Sequence, residues 1–154
     1  MIRVAVGILT SNGVLSPNAI TPTVLDGHDL RHVLLCQRSK HSRYGLKWEF
    51  PGGKVEAGET ASDCLRRELR EELDIDASIG ELYHRQNYVY PDSGTFDVHY
   101  YIVPSFSGQI VNRVFESLSW VPVKDLQNFD ILEGNADVVE KLMKNYDPAD
   151  PRQS

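Results

Sequence analysis

The chain has 154 residues, 41% hydrophobic and 25% charged, with a formal net charge of −6. This is the size and balance of one ordinary globular domain around a buried core, which excludes a wholly disordered chain and a collagen-like repeat. No apolar run approaches the roughly 20 residues that span a bilayer. The acidic balance speaks against a general nucleic-acid surface, which needs a basic stripe to displace counterions from phosphates.

The first ten residues lack the basic region and small-residue cleavage site of a signal peptide. Two cysteines occur, Cys36 and Cys64, each inside an apolar pattern. No disulfide framework is expected, and a reducing cytoplasm is the expected compartment.

Residues 2–9 are almost continuously apolar and β-branched, the pattern of a strand buried on both faces. The stretch from Ser11 to His32 is rich in Asn, Pro, Thr, Gly and Asp and reads as a long loop, a length usually tied to function or mobility. A second strand is expected over 33–38. A polar loop over 41–46 then leads to Trp48-Glu49-Phe50 and the turn signal Pro51-Gly52-Gly53. Residues 60–73 read as a helix, with Thr60 as N-cap and Asp63 three residues on. Ala61, Cys64, Leu65, Leu69 and Leu73 form its apolar stripe.

Strands are expected over 79–90 and 96–103, joined through Pro91-Asp92-Ser93-Gly94, and a further strand over 114–121. A terminal amphipathic helix is expected over 135–146, with Val138, Val139, Leu142 and Met143 on one side. The expectation is therefore one α/β domain with a mixed sheet over 1–146 and a frayed tail over 147–154.

The charge is unevenly spread. From Glu56 to Asp76 there are eight acidic residues against three arginines, so most of the net charge lies in one short stretch. Within the expected helix, Glu68, Glu71 and Glu72 stand at i, i+3 and i+4, one turn apart on one face. Like charges at that spacing destabilise a helix by tenths of a kcal/mol per pair unless a cation lies between them. Hard oxygen ligands of this kind suit Mg²⁺ or Mn²⁺. On the glutamates alone, a solvated face paired with Arg66, Arg67 and Arg70 is the competing reading.

Gly53, five residues, Glu59, seven residues and then Arg67-Glu68-Leu69-Arg70-Glu71-Glu72 spell a longer pattern, and here the chain resembles the Nudix hydrolases. One position departs: the family's glycine after the last glutamate pair is Asp74, followed by the apolar Ile75. Aspartate is among the few residues that visit the left-handed conformation such a helix-closing glycine adopts.

The resemblance implies the Nudix fold, a mixed β-sheet sandwiched between helices (α/β/α). It implies cleavage of a diphosphate linked to another group, with Mg²⁺ as cofactor and Mn²⁺ able to substitute. By the resemblance, Glu68, Glu71 and Glu72 are metal ligands, joined by the Gly52 carbonyl. One of these glutamates or another nearby carboxylate acts as base. Glu116, upstream of Trp120, stands where the family often supplies a further metal-binding carboxylate. Glu59 and Arg67 pair to orient helix and loop beside Gly53.

Beyond this box, Lys47 to Glu56 and Tyr88 to Asp92 resemble the MutT-type nucleoside triphosphate pyrophosphohydrolases. That implies a small-molecule nucleotide as partner, no nucleic acid or membrane, and a monomer or homodimer. Phe50 and Arg38 fall at substrate-binding positions. Arg38 is either a phosphate contact or a surface arginine at a strand end. Asn135, fifteen positions after Trp120, is either a reader of an oxidised purine, for which its amide offers both donor and acceptor, or the N-cap of the terminal helix.

The substrate this implies is 8-oxo-dGTP, cut to monophosphate and pyrophosphate. CTP, a modified dCTP and ADP-ribose-type diphosphates are the alternatives. A catalytically silent ligand-binding member of the family is the reading from another class. Such a module would be expected to lose box glutamates, and this chain keeps them all.

Overall fold

The structure is a computed structural model that describes residues 1–10 and 32–145. The tail expected over 147–154, and all of the long loop except His32, lie outside the described residues. His32 itself opens a strand.

Strand β1 (Ile2–Leu9) is central because everything from Ala5 onward is apolar or glycine and buried. It pairs antiparallel with β4 (Gly52–Lys54) on one side and parallel with β7 (Gly94–Val103) on the other. Strand β6 (Leu82–Tyr90) pairs antiparallel with β7, completing a four-stranded mixed sheet in the order β4-β1-β7-β6. Strand β2 (His32–Gln37) lies between β3 (Trp48–Glu49) and β9 (Ser117–Pro122) in a three-stranded antiparallel sheet. Strands β5 (Asp76–Ser78) and β8 (Ser105–Ser107) form a separate ribbon.

Strand alternation splits the core in two. Val6, Ile8, Val33, Leu35, Val98, Tyr100 and Ile102 face one way and pack with helix α2 (Ala136–Asn145) through Val138, Val139 and Leu142. Ala5, Leu9, Leu34, Cys36 and Val103 face the other way, against helix α1 (Ala61–Leu73). Every member of the expected α1 stripe is buried. The sheets thus lie between two helices, the layered architecture of the Nudix fold. No helix of the described residues is long and apolar enough to cross a membrane.

Several boundaries differ from the sequence reading. The strand expected from Ile79 begins at Leu82. Gly80 donates to the Ile102 carbonyl (2.8 Å) and Ile102 to the Glu81 carbonyl (3.0 Å), so this stretch meets β7 in an irregular register that shifts between Leu82 and His84. The strand expected from 114 begins at Ser117. Before it, the Asn112 side chain closes a turn onto Phe115. Phe96 lies inside β7, which starts two residues earlier at Gly94. Gly52-Gly53 is part of strand β4 as well as a turn.

Thr60 caps α1 by accepting the Asp63 N–H at 3.1 Å. At the other end Asp74 adopts the left-handed conformation (φ 59°) and donates its N–H to the Arg70 carbonyl. Two further carbonyls of the last turn are met by a loop: Val111 donates to Leu73 and Arg113 to Glu72 (2.9 and 3.0 Å). Arg113 also pairs with the Asp74 carboxylate at 3.0 Å. A β-branched residue is strained in this conformation while glycine is not, so Asp74→Val should cost about 1–2 kcal/mol and Asp74→Gly less than about 0.5 kcal/mol. Denaturant titration measures both, and a Val variant as stable as the parent would remove the cap argument.

Candidate active site

Helix α1 is docked onto β4 through charge. Arg67 grips Glu59 with two hydrogen bonds (2.7 and 3.2 Å), donates to Glu68 (3.0 Å) and Glu71 (3.4 Å), and reaches the Lys54 carbonyl (3.2 Å). Glu59 also accepts the Glu56 N–H at 2.8 Å. The Arg67 bonds, with this one, pull the Glu59 carboxyl down to about 2. The pairing therefore adds stability above the ordinary glutamate range and loses it only as pH falls through about 2.

Gly53 lies directly under the Glu68 carboxylate. A Cβ there would sit 2.3 Å from Glu68 Cδ, so a side chain at 53 would have to displace the Glu68 carboxylate from its place over the strand. At Gly52 a Cβ would sit 2.1 Å from the Ala5 carbonyl oxygen.

Glu72 is the most buried carboxylate of the helix face. It accepts a backbone hydrogen bond from Gly52, yet burial, then Glu68 and Glu49, push its carboxyl up to about 8. Its Oε1 is buried with no hydrogen-bond partner. Burial likewise raises Glu68 and Glu49 above their usual range.

The donor set here is hard carboxylate and backbone oxygen, and the orphaned Glu72 oxygen is what a divalent cation would satisfy. The residues fit Mg²⁺ or Mn²⁺ in that sense, with Glu68, Glu71 and Glu72 as the residues that would hold it. Among the described residues no three acidic, His or Cys side chains already converge as a metal cluster. Glu68 and Glu71 are turned onto Arg67 instead.

A cleft of about 370 Å³ opens beside Glu72. Its walls include Arg38, Glu49, Phe50, Gly52, Gly53 and Asn135, and its size suits a small-molecule ligand. Arg38 lines the cleft with its guanidinium committed to both oxygens of Glu49 (3.1 and 3.2 Å) and to the Arg43 carbonyl (2.7 Å). Phe50 is almost fully buried in the α2-side core. The rim is closed by Arg43 and Tyr44, which both bond Asp92 in the β6–β7 turn. Tyr44 and Leu46 hold positive φ (55° and 68°) in the loop between β2 and β3, a conformation costly for bulky residues and retained only where surroundings enforce it.

Asn135 is not the N-cap of α2: it ends a 3-10 turn (Glu133–Asn135) that runs straight into the helix. Its side chain is buried on the cleft wall, where Oδ1 accepts the Tyr100 hydroxyl at 2.7 Å. Glu116 is not among the residues lining the cleft. It is exposed just before β9, and its Oε1 accepts the Lys40 N–H at 3.1 Å. The cleft also holds Glu49, which the sequence reading left without a role. The signal was there: Arg38 and Glu49 flank a hairpin in which Cys36 pairs with Glu49, and a lone acid between Trp48 and Phe50 needs a cationic partner when buried.

Without metal, the raised Glu72 pKa makes pH a lever. Below the unfolded value both states hold the proton. Between the ordinary glutamate range and about 8 only the folded state does, so stability falls as pH rises across that window. Glu72→Gln should remove the fall and raise metal-free stability at pH 8 by about 2 kcal/mol. Added Mg²⁺ should raise the melting temperature of the parent more than that of the variant. Thermal melts in chelator and in Mg²⁺ across pH 5–9 test this. Parallel pH curves would show that Glu72 carries no such strain.

Comparison with known proteins agrees with the geometry. The NUDIX domain profile matches residues 15–142. The chain is 33% identical over 116 residues to an 8-oxo-dGTP diphosphatase of Haemophilus influenzae, covering 75% of this chain and 85% of that protein. It is 32% identical over 111 residues to the CTP pyrophosphohydrolase of Escherichia coli, covering 72% and 82%. Among solved structures it resembles one from a study of MutT from Aliivibrio salmonicida and Vibrio cholerae, with a TM-score of 0.70, 26% identity and coverage of 94% and 98%. It also resembles the solution structure of the E. coli ORF135 protein, with a TM-score of 0.71, 28% identity and coverage of 97% and 94%. A glycine strand packed under a helix of crowded carboxylates, beside a nucleotide-sized cleft, is thus found where sequence and fold agree, and the chain belongs to the Nudix family as a Nudix hydrolase.

Proposed function

We propose that the enzyme hydrolyses 8-oxo-dGTP to 8-oxo-dGMP and pyrophosphate, removing an oxidised nucleotide from the precursor pool. The observation that carries this reading is a single cleft bordered by Glu72 of the helix face at one side and by the buried amide of Asn135 at another. A nucleotide laid along it would put its phosphates toward Glu72 and its base toward Asn135. Asparagine suits 8-oxoguanine because one amide can donate to a keto oxygen and accept from the adjacent ring N–H. Tyr88, Tyr90 and Phe96 on the same walls offer ring faces for a base.

Arg38 and Arg43, both on the cleft, would meet the triphosphate. For Arg38 this requires the phosphate to share or replace the Glu49 carboxylate as its partner. Glu68, Glu71 and Glu72 would hold the divalent ion, Mg²⁺ or Mn²⁺, with the Gly52 main chain close by. When bound, that ion neutralises phosphate charge and acidifies the attacking water. Water adds to the β-phosphorus and the bond from that phosphorus to the α–β bridging oxygen breaks. The oxygen stays on the monophosphate, and the proton of the water passes to one of the carboxylates. Glu59 and Arg67 act on the position of the helix. The two unpaired buried cysteines suit a reducing cytoplasm.

A second reading is kept by one finding, the likeness to a CTP pyrophosphohydrolase. The test is kcat/KM with Mg²⁺ for 8-oxo-dGTP, dGTP, CTP, 5-methyl-dCTP and ADP-ribose, with products identified. The expected result is a preference of a hundredfold or more for 8-oxo-dGTP. Glu71→Gln and Glu72→Gln should each lower kcat by at least about a hundredfold while the protein stays folded. A pyrimidine preference would keep the metal chemistry and discard the base assignment. Unchanged turnover in both glutamine variants would sink the mechanism.

A further inference from the structure

The peptide that carries Asn135 is held from the sheet by three side chains. Gln86 Nε2 donates to the Gly134 carbonyl (2.7 Å), the Gly134 N–H donates to the Tyr90 hydroxyl (3.1 Å), and the Tyr100 hydroxyl donates to Asn135 Oδ1 (2.7 Å). A Cβ at Gly134 would meet the Tyr90 hydroxyl at 2.1 Å, so a side chain there would displace Tyr90 and break its bond to the Gly134 N–H. These bonds hold the backbone, which leaves open which end of the Asn135 amide faces the cleft.

We infer that Tyr100 is a positioning residue that settles this orientation: it binds Oδ1, so that Nδ2 is turned to the base and the cleft selects a purine with a keto oxygen at position 6. The inference rests on Asn135 being the base reader of the proposed function. A separation of 2.7 Å is the usual length of an O–H···O bond and short for N–H···O. The other acceptor near the Tyr100 hydroxyl, the Gly134 carbonyl, is farther at 3.3 Å and already takes the Gln86 bond. Tyr100 is 1% exposed, and burial pushes its hydroxyl above its ordinary range, so it remains a donor. A flipped amide would send the hydroxyl proton to the Gly134 carbonyl, a longer bond to an oxygen already in use, so the orientation with Oδ1 toward Tyr100 keeps the better bond and the difference biases the amide.

The experiment compares kcat and KM for 8-oxo-dGTP, which has a 6-keto group, and 8-oxo-dATP, which has a 6-amino group. Tyr100→Phe removes one oxygen atom. It should raise KM for 8-oxo-dGTP about tenfold, keep kcat within about twofold, and lower the keto-over-amino ratio about tenfold. Asn135→Asp keeps an acceptor for Tyr100 and removes the donor, so it should invert the ratio, and it serves if Tyr100→Phe fails to fold. Loss of kcat for both substrates at unchanged KM in Tyr100→Phe would mean a structural role only and overturn the inference. So would a keto preference retained in Asn135→Asp. Asn135→Ala separates the two levels. If it lowers the ratio while Tyr100→Phe does not, Tyr100 alone loses its role. If it leaves the ratio unchanged, the base-reading assignment falls and this inference with it.

Discussion

The architecture depends on one crowded contact, where the carboxylates of α1 are pressed against the glycine strand β4 and share a single guanidinium. A helix that carries Glu68, Glu71 and Glu72 on one face repels itself, and burying part of that face raises the cost. Arg67 offsets it by touching Glu59, Glu68 and Glu71 at once. Glycine at 53 leaves the Glu68 carboxyl the space a side chain would otherwise take, so the carboxylate can stay over the strand. The apolar stripe of α1 supplies the opposing force. Leu65, Leu69 and Leu73 are fully buried, and that burial holds an acidic surface in a place it would otherwise leave.

This tension gives the site its chemistry. A carboxylate such as Glu72, hemmed in by Glu68 and Glu49 and short of one hydrogen bond, is a poor neighbour for more negative charge and a good one for a cation. A triphosphate brings negative charge to the same place, so substrate and acidic helix are compatible only through cations between them. The arginines on the cleft are each paired to a carboxylate, Arg38 to Glu49 and Arg43 to Asp92, which keeps positive charge at the cleft without leaving it unpaired.

Much of this was legible in the sequence, for physical reasons that can be named. Helix α1 announced itself through a cap, a 3.6-residue stripe and a residue able to enter the left-handed region at its end, all local signals. Strand β1 showed as an almost unbroken apolar run because both its faces are covered from Ala5 onward. What the sequence hid was non-local. Trp48–Glu49 and Asp76–Ser78 are too short to show a period, and they are strands because β2 and β8 supply partners. Asn135 could be read as a base reader or as a cap, because asparagine before a helix is often a cap. The deciding fact was a tyrosine hydroxyl 35 residues away, in β7. The hydrogen bond from the Lys40 N–H to the Glu116 carboxylate is equally non-local and carries no local sequence signal.

The pairing of β1 with β7 has a consequence for how the chain reaches this structure. Ile2 pairs with Phe96 and Leu9 with Val103, so the most buried strand waits for a partner more than ninety residues further along. Until that partner exists, the run from Ala5 to Leu9 is an apolar strand with an open edge. Contacts so far apart in sequence are slow to close, and an unpaired apolar strand invites association with other chains in the meantime. During synthesis the N-terminal strand is thus the segment most in need of protection, and formation of the β6–β7 hairpin is the event that relieves it.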